Sequence, residues 1–192
     1  GRRGAHHAGG KGARVGMTNL DWLRPHFNSL TEDWWTTTKL AYQLYGEIVQ
    51  LTSDEVWRAI HDLLGDRPDV NIELLDNTYR TYPRAIFERT IADDRTNRSM
   101  AWPERGDCNN YGLRFKVAMD FWYNVDAVGF VVDHSAGHAY DLVVFGDVTA
   151  SLLEPQSDRF VAVGEEISFL KGLPLPAGSS GRYSLTSGVI LI

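Results

Sequence analysis

The sequence predicts an α+β fold in which helices come first and an antiparallel sheet follows. Three observations point that way. Stretches before residue 65 repeat apolar residues at helical spacing, and a further such stretch starts at Cys108. From Ala127 onward the chain breaks into short β-rich runs separated by Gly, Pro, Asp or Ser.

Taken in order, Glu32–Gln50 reads as a helix through Trp35, Leu40, Leu44 and Ile48. A second helix should begin at Thr52, because Thr52 and Glu55 make a capping-box pattern ahead of Val56, Ile60 and Leu64. Gly65 is its stop. Val70–Leu75 suits a short strand and Ala85–Ile91 a helical turn or two. Pro103 and Gly106 make Trp102–Asp107 a turn. Cys108–Trp122 then reads as a helix with Leu113, Val117 and Phe121 along one face, Tyr111 and Phe115 beside them, and Asp107 at the N-cap. The strands are expected at Ala127–Val132, His138–Phe145, Val148–Leu153, Phe160–Val163, Ile167–Leu170 and Gly188–Ile192, with Pro174–Ser180 a surface loop.

The 192 residues suit one domain able to bury a substantial core, and 43% hydrophobic with 23% charged residues is ordinary for a globular chain. The first sixteen residues are Gly-rich and lack an apolar period, so 1–16 reads as a leader and 17–192 as the domain. Within it, 17–70 forms a helical annex and 71–192 the core that carries the chemistry. A formal charge of −6 with scattered Lys and Arg argues against nucleic-acid binding. No apolar run reaches the roughly 18–20 residues that span a bilayer, so no membrane partner is expected. One cysteine and no secretory signal point to a cytoplasmic chain at synthesis, with a reduced thiol.

Three residues form the candidate catalytic set. Cys108 opens a helix directly after a Gly-Asp turn, where exposed N–H groups and the macrodipole favour a thiolate, the nucleophilic form. His138 opens a strand after Gly137 and titrates near neutrality, which suits a general base. Glu154 ends the next strand before Pro155, placed to hydrogen-bond the far imidazole nitrogen and fix its tautomer. Each has a plainer reading: a lone cysteine is usually a small buried hydrophobe, and His138 or Glu154 alone would be an ordinary strand residue. The conjunction favours chemistry. His134 and His138, four apart, would pair on zinc if helical, but Gly137 and the β-branched flanks make this a turn into a strand.

Cysteine, then a strand histidine, then an acid on the next strand is the order of papain-like enzymes. Asp107-Cys108-Asn109-Asn110-Tyr111, His138-Ala139-Tyr140-Asp141 and Glu154-Pro155-Gln156 resemble the papain-like cysteine protease domain of the Marasmius oreades agglutinin family, over roughly Leu74 to Val163. The resemblance implies Cys108 as nucleophile, His138 as base and Glu154 as orienting acid in a peptidase acting through an acyl-enzyme on a peptide or protein substrate. It gives Gln156 a polarising or substrate role and Trp102 a place lining the cleft. It also makes calcium a candidate cofactor, although the sequence requires none, with Asp107, Asp133 and Asp141 as oxygen ligands. Asn109 and Asn110 stand where acids would be expected for that metal. The competing readings are a peptidoglycan amidase or transferase on the same triad, and a non-catalytic papain-like accessory or binding protein. The last predicts an unreactive, buried Cys108 and no hydrogen bond between His138 and Glu154. A metal-dependent hydrolase using His134, His138 and Asp141 is a weaker competitor.

Overall fold

The computed structural model describes residues 47–94, 108–168 and 178–192, all within one compact unit. They form three helices and eight strands. The mixture matches the α+β expectation. The greater part of the helix expected at Glu32–Gln50 lies outside the described residues, but its end does not. Val49–Thr52 is a strand, β1, antiparallel to β3 (Thr78–Thr81) with Val49 opposite Thr81. Leu51 is buried while its neighbours Gln50 and Thr52 are exposed, an alternation that helical periodicity does not register.

Helix α1 (Ser53–Leu64) begins where the capping box placed it. Thr52 Oγ1 accepts the Glu55 N–H at 3.3 Å, and Glu55 Oε2 accepts the Thr52 N–H at 2.8 Å. The two side chains satisfy backbone donors that have no partner within the helix. Val56, Ala59, Ile60 and Leu64 are its buried face, and Gly65, at φ 71°, turns the chain out of it.

Helix α2 (Arg84–Asp93) is longer than the turn or two expected. Helix α3 (Cys108–Tyr123) begins at the expected residue, but the face it buries is not the one singled out by spacing. Gly112, Phe115, Met119 and Tyr123 are buried, whereas Leu113, Val117 and Phe121 are 52%, 56% and 72% exposed. Both stripes have helical spacing, so periodicity alone could not choose between them. Gly112 decides the matter, because a Cβ there would lie 2.9 Å from the Phe130 ring and 3.5 Å from Asp141 Oδ1. Only the hydrogen side chain lets the helix approach the sheet on that face.

The main sheet has six strands in the order β2, β8, β4, β5, β6, β7: β2 is Val70–Glu73, β4 Val128–Asp133, β5 His138–Val144, β6 Ala150–Glu154, β7 Arg159–Val161 and β8 Gly188–Leu191. All neighbours are antiparallel except β2 and β8, which run parallel, so the sheet is not wholly antiparallel as expected. Ile167 joins no strand, and only an isolated bridge between Glu166 and Arg182 marks that region. Strand β5 is buried along its whole length. Its Tyr140, Leu142 and Val144 join the core with α1, while Val143 joins the core with Phe87, Phe115 and Met119 of α2 and α3. Helices on both faces therefore explain a near-continuous apolar run where alternation would mark a half-exposed strand.

Candidate functional site

The fold brings Cys108, His138 and Glu154 together. In the β5–β6 register Asp141 faces Leu153, so Glu154 comes to lie beside the start of β5 on the side of Tyr140 and His138. His138 Nε2 and Glu154 Oε2 are 2.8 Å apart, with side chains 2% and 1% exposed. Cys108 hydrogen-bonds the same imidazole. Burial pushes the imidazole toward neutrality, but the hydrogen bonds and charges of Cys108 and Glu154 outweigh it and raise the pKa to about 9. The shift favours the imidazolium at neutral pH. Cys108 is half-buried at the first residue of α3.

Glu154 has two further partners that sequence reasoning missed or misread. Tyr183 donates its hydroxyl to Glu154 Oε2 at 3.0 Å, and burial with the adjacent carboxylate holds that phenol protonated. No pattern around Arg182-Tyr183-Ser184 marks the tyrosine, because its role exists only once the C-terminal segment crosses the sheet. Gln156 reaches the site through its backbone, donating its N–H to Glu154 Oε1 at 3.0 Å. Trp102 and Asp107 lie outside the described residues.

Of the three aspartates given to calcium, Asp133 and Asp141 are described, and they lie on opposite faces of the sheet's centre. Asp133 is spent on the fold: its Oδ1 accepts from Ser135 Oγ and the Ala136 N–H, and its Oδ2 from Tyr140 Oη and the Leu185 N–H. Four protein donors leave little lone-pair capacity for a cation. Asp141 projects from the opposite face of β5, fully buried, and neither oxygen has a hydrogen-bond partner among the described residues. Burial first, and then the charge of Glu154, holds its pKa well above the usual carboxylate range, against the pull of Lys116. Among the described residues no three His, Cys, Asp or Glu side chains come together as a metal set. His134 is exposed and caps a turn through its backbone N–H to Ser187. It does not join His138 and Asp141 on a metal.

No family model and no curated protein matches the chain. Solved structures do. The PSL1a–E64 complex superposes with a TM-score of 0.53 at 18% identity, covering 75% of this chain and 51% of that one. Polyporus squamosus lectin bound to the human-type influenza-binding epitope Neu5Acα2-6Galβ1-4GlcNAc gives 0.49 at 18%, covering 75% and 50%. The likeness to the first, at 18% identity, gives the fold alone. This chain spans about half the length of both structures. The papain-like cysteine peptidase expected from the motif order is corrected here. A likeness at this identity lends no support to a hydrolase, a thiol protease or a peptide substrate, and one of the two neighbours is a lectin bound to a glycan. No helix among the described residues is long and apolar enough to cross a membrane.

Proposed function

We propose that the chain is a non-catalytic binding module on a papain-like arrangement, with Cys108, His138 and Glu154 as a polar tie beneath its surface. The observation that carries this reading is the burial of the base and the acid of the cluster. His138 and Glu154 are buried, with side chains 2% and 1% exposed, Cys108 is half-buried beside them, and Tyr183 occupies the carboxylate from a further side. A base that must meet a substrate needs an open approach to the reacting proton. Here the charged pair instead joins the start of α3 to β5, β6 and the C-terminal segment. The hydrogen bond between His138 and Glu154, which a binding protein was not expected to have, fits this role because a buried imidazolium requires a partner.

The test pairs ligand capture with chemistry. Wild-type protein and Cys108→Ala are screened on immobilised glycans and on a peptide library, and both are assayed for peptide and ester turnover. The expected result is ligand capture that is the same in both proteins, with no turnover. Cleavage that depends on Cys108, or capture lost in Cys108→Ala while its fold is intact, would sink the reading.

A further inference from the structure

A cavity of about 240 Å³ opens where α1 meets β2, away from the Cys108 cluster, and nothing described so far uses it. Its walls combine three kinds of surface. Ile60, Leu64 and Ile72 are apolar. Trp57 is 44% exposed and stands one turn before His61 on α1, their ring centroids 4.5 Å apart. Arg67 enters from the loop after the helix, where its Nε donates to the Leu64 carbonyl at 2.8 Å.

Two features show unmet hydrogen-bonding capacity at this place. His61 Nε2 is buried and has no hydrogen-bond partner among the described residues, which is uncommon for an interior polar atom. Arg67 uses only Nε on the protein, so both terminal nitrogens are free among the described residues, and the Leu64 bond fixes the plane in which they point. Arg67 is the only fixed charge among the lining residues, since the neighbouring Asp62, Asp66 and Asp69 do not line the cavity.

Resting on the binding-module reading, we propose that this cavity is a ligand subsite for a single pyranose ring carrying a carboxylate. The guanidinium fork takes a carboxylate through two parallel N–H···O bonds. The indole of Trp57 covers the apolar C–H face of the ring, a pairing of flat aromatic and amphipathic surfaces. The volume is below that of pockets built for larger ligands and sets the limit at one ring.

The experiment is saturation-transfer NMR and calorimetric titration with D-galacturonate and D-galactose, a pair that differ only in the carboxylate. The proteins are wild type, Arg67→Gln, Arg67→Lys, Trp57→Ala and Cys108→Ala, each checked for an intact thermal transition. Galacturonate should bind with Kd on the order of 1 mM, and galactose at least about tenfold more weakly. Arg67→Gln should remove that difference, Arg67→Lys should restore part of it, and Trp57→Ala should weaken both sugars. Cys108→Ala should leave the affinities unchanged. Equal binding of the two sugars, or binding that survives both Arg67→Gln and Trp57→Ala, overturns the subsite. Binding of neither sugar overturns the ligand class, while the binding-module reading is judged separately by the Cys108-independent screen.

Discussion

His138 carries its proton across the neutral range because its two neighbours favour the charged form more strongly than burial disfavours it. A pKa raised to about 9 from 6.5 gives stability that is fully present below about pH 6.5 and is lost as the pH rises through 9. The amount is on the order of 3 kcal/mol for a shift of this size. The melting temperature should therefore fall between pH 6.5 and 9.5, and His138→Gln should lose this slope; differential scanning fluorimetry across that range checks both. Asp141 has the opposite sign. Its raised pKa means that stability is greatest where the acid is neutral and declines as the pH climbs from about 4, because the unfolded chain ionises more easily than the fold does. Asp141→Asn should stabilise the protein by about 1–3 kcal/mol at pH 8 and by clearly less at pH 5. Urea denaturation at the two pH values measures the difference, and a loss of stability at pH 8 would contradict the assignment.

At the scale of elements, α3 is held to the sheet by a face whose approach depends on one glycine. Gly112→Ala places a methyl group 2.9 Å from two atoms of the Phe130 ring, so the ring or the helix must move. Overpacking of this kind costs about 1–3 kcal/mol. Because α3 also presents Cys108, one turn before Gly112, the displacement should be visible at the start of the helix. Chemical denaturation gives the stability loss, and the His138 imidazole proton chemical shifts report whether its contact with Cys108 has changed. An Ala variant with unchanged stability and an unchanged histidine spectrum would mean that the approach is looser than the geometry indicates. Helix α1 is a contrasting case. Its start depends on a local Thr52–Glu55 exchange, so the sequence placed it to within a residue.

For the molecule as a whole, β8 is the strand that joins the parts. It lies between β2 and β4, parallel to the first and antiparallel to the second, although it comes last in the chain. Close packing leaves no slack there: a Cβ on Gly188 would lie 2.3 Å from the Val132 carbonyl oxygen. Removing residues 188–192 takes Ile190 and Ile192 out of the core and exposes ladder groups on two strands. Burial of each such side chain is worth about 1.5–3 kcal/mol, a large share of the roughly 5–15 kcal/mol typical of a domain. The truncated chain should show no cooperative thermal unfolding by circular dichroism. A cooperative transition near that of the full chain would place the core elsewhere.

What the sequence determined by itself was mostly local. It set the capping box of α1, the start of α3, the runs that became β4, β5, β6 and β8, and the conjunction of Cys108, His138 and Glu154. These follow from interactions within a few residues or between consecutive strands, whose adjacency the antiparallel order already implies. The tertiary structure decided which stripe of α3 is buried, since two stripes shared one spacing and only contact with Phe130 separates them. It also decided the parallel pairing of β2 with β8, the strand at Val49–Thr52, the commitment of Asp133 to four protein donors, and the enclosure of Glu154 by Tyr183. Each of these depends on segments far apart in the chain, and no local pattern of apolar and polar residues records which distant surface will cover it.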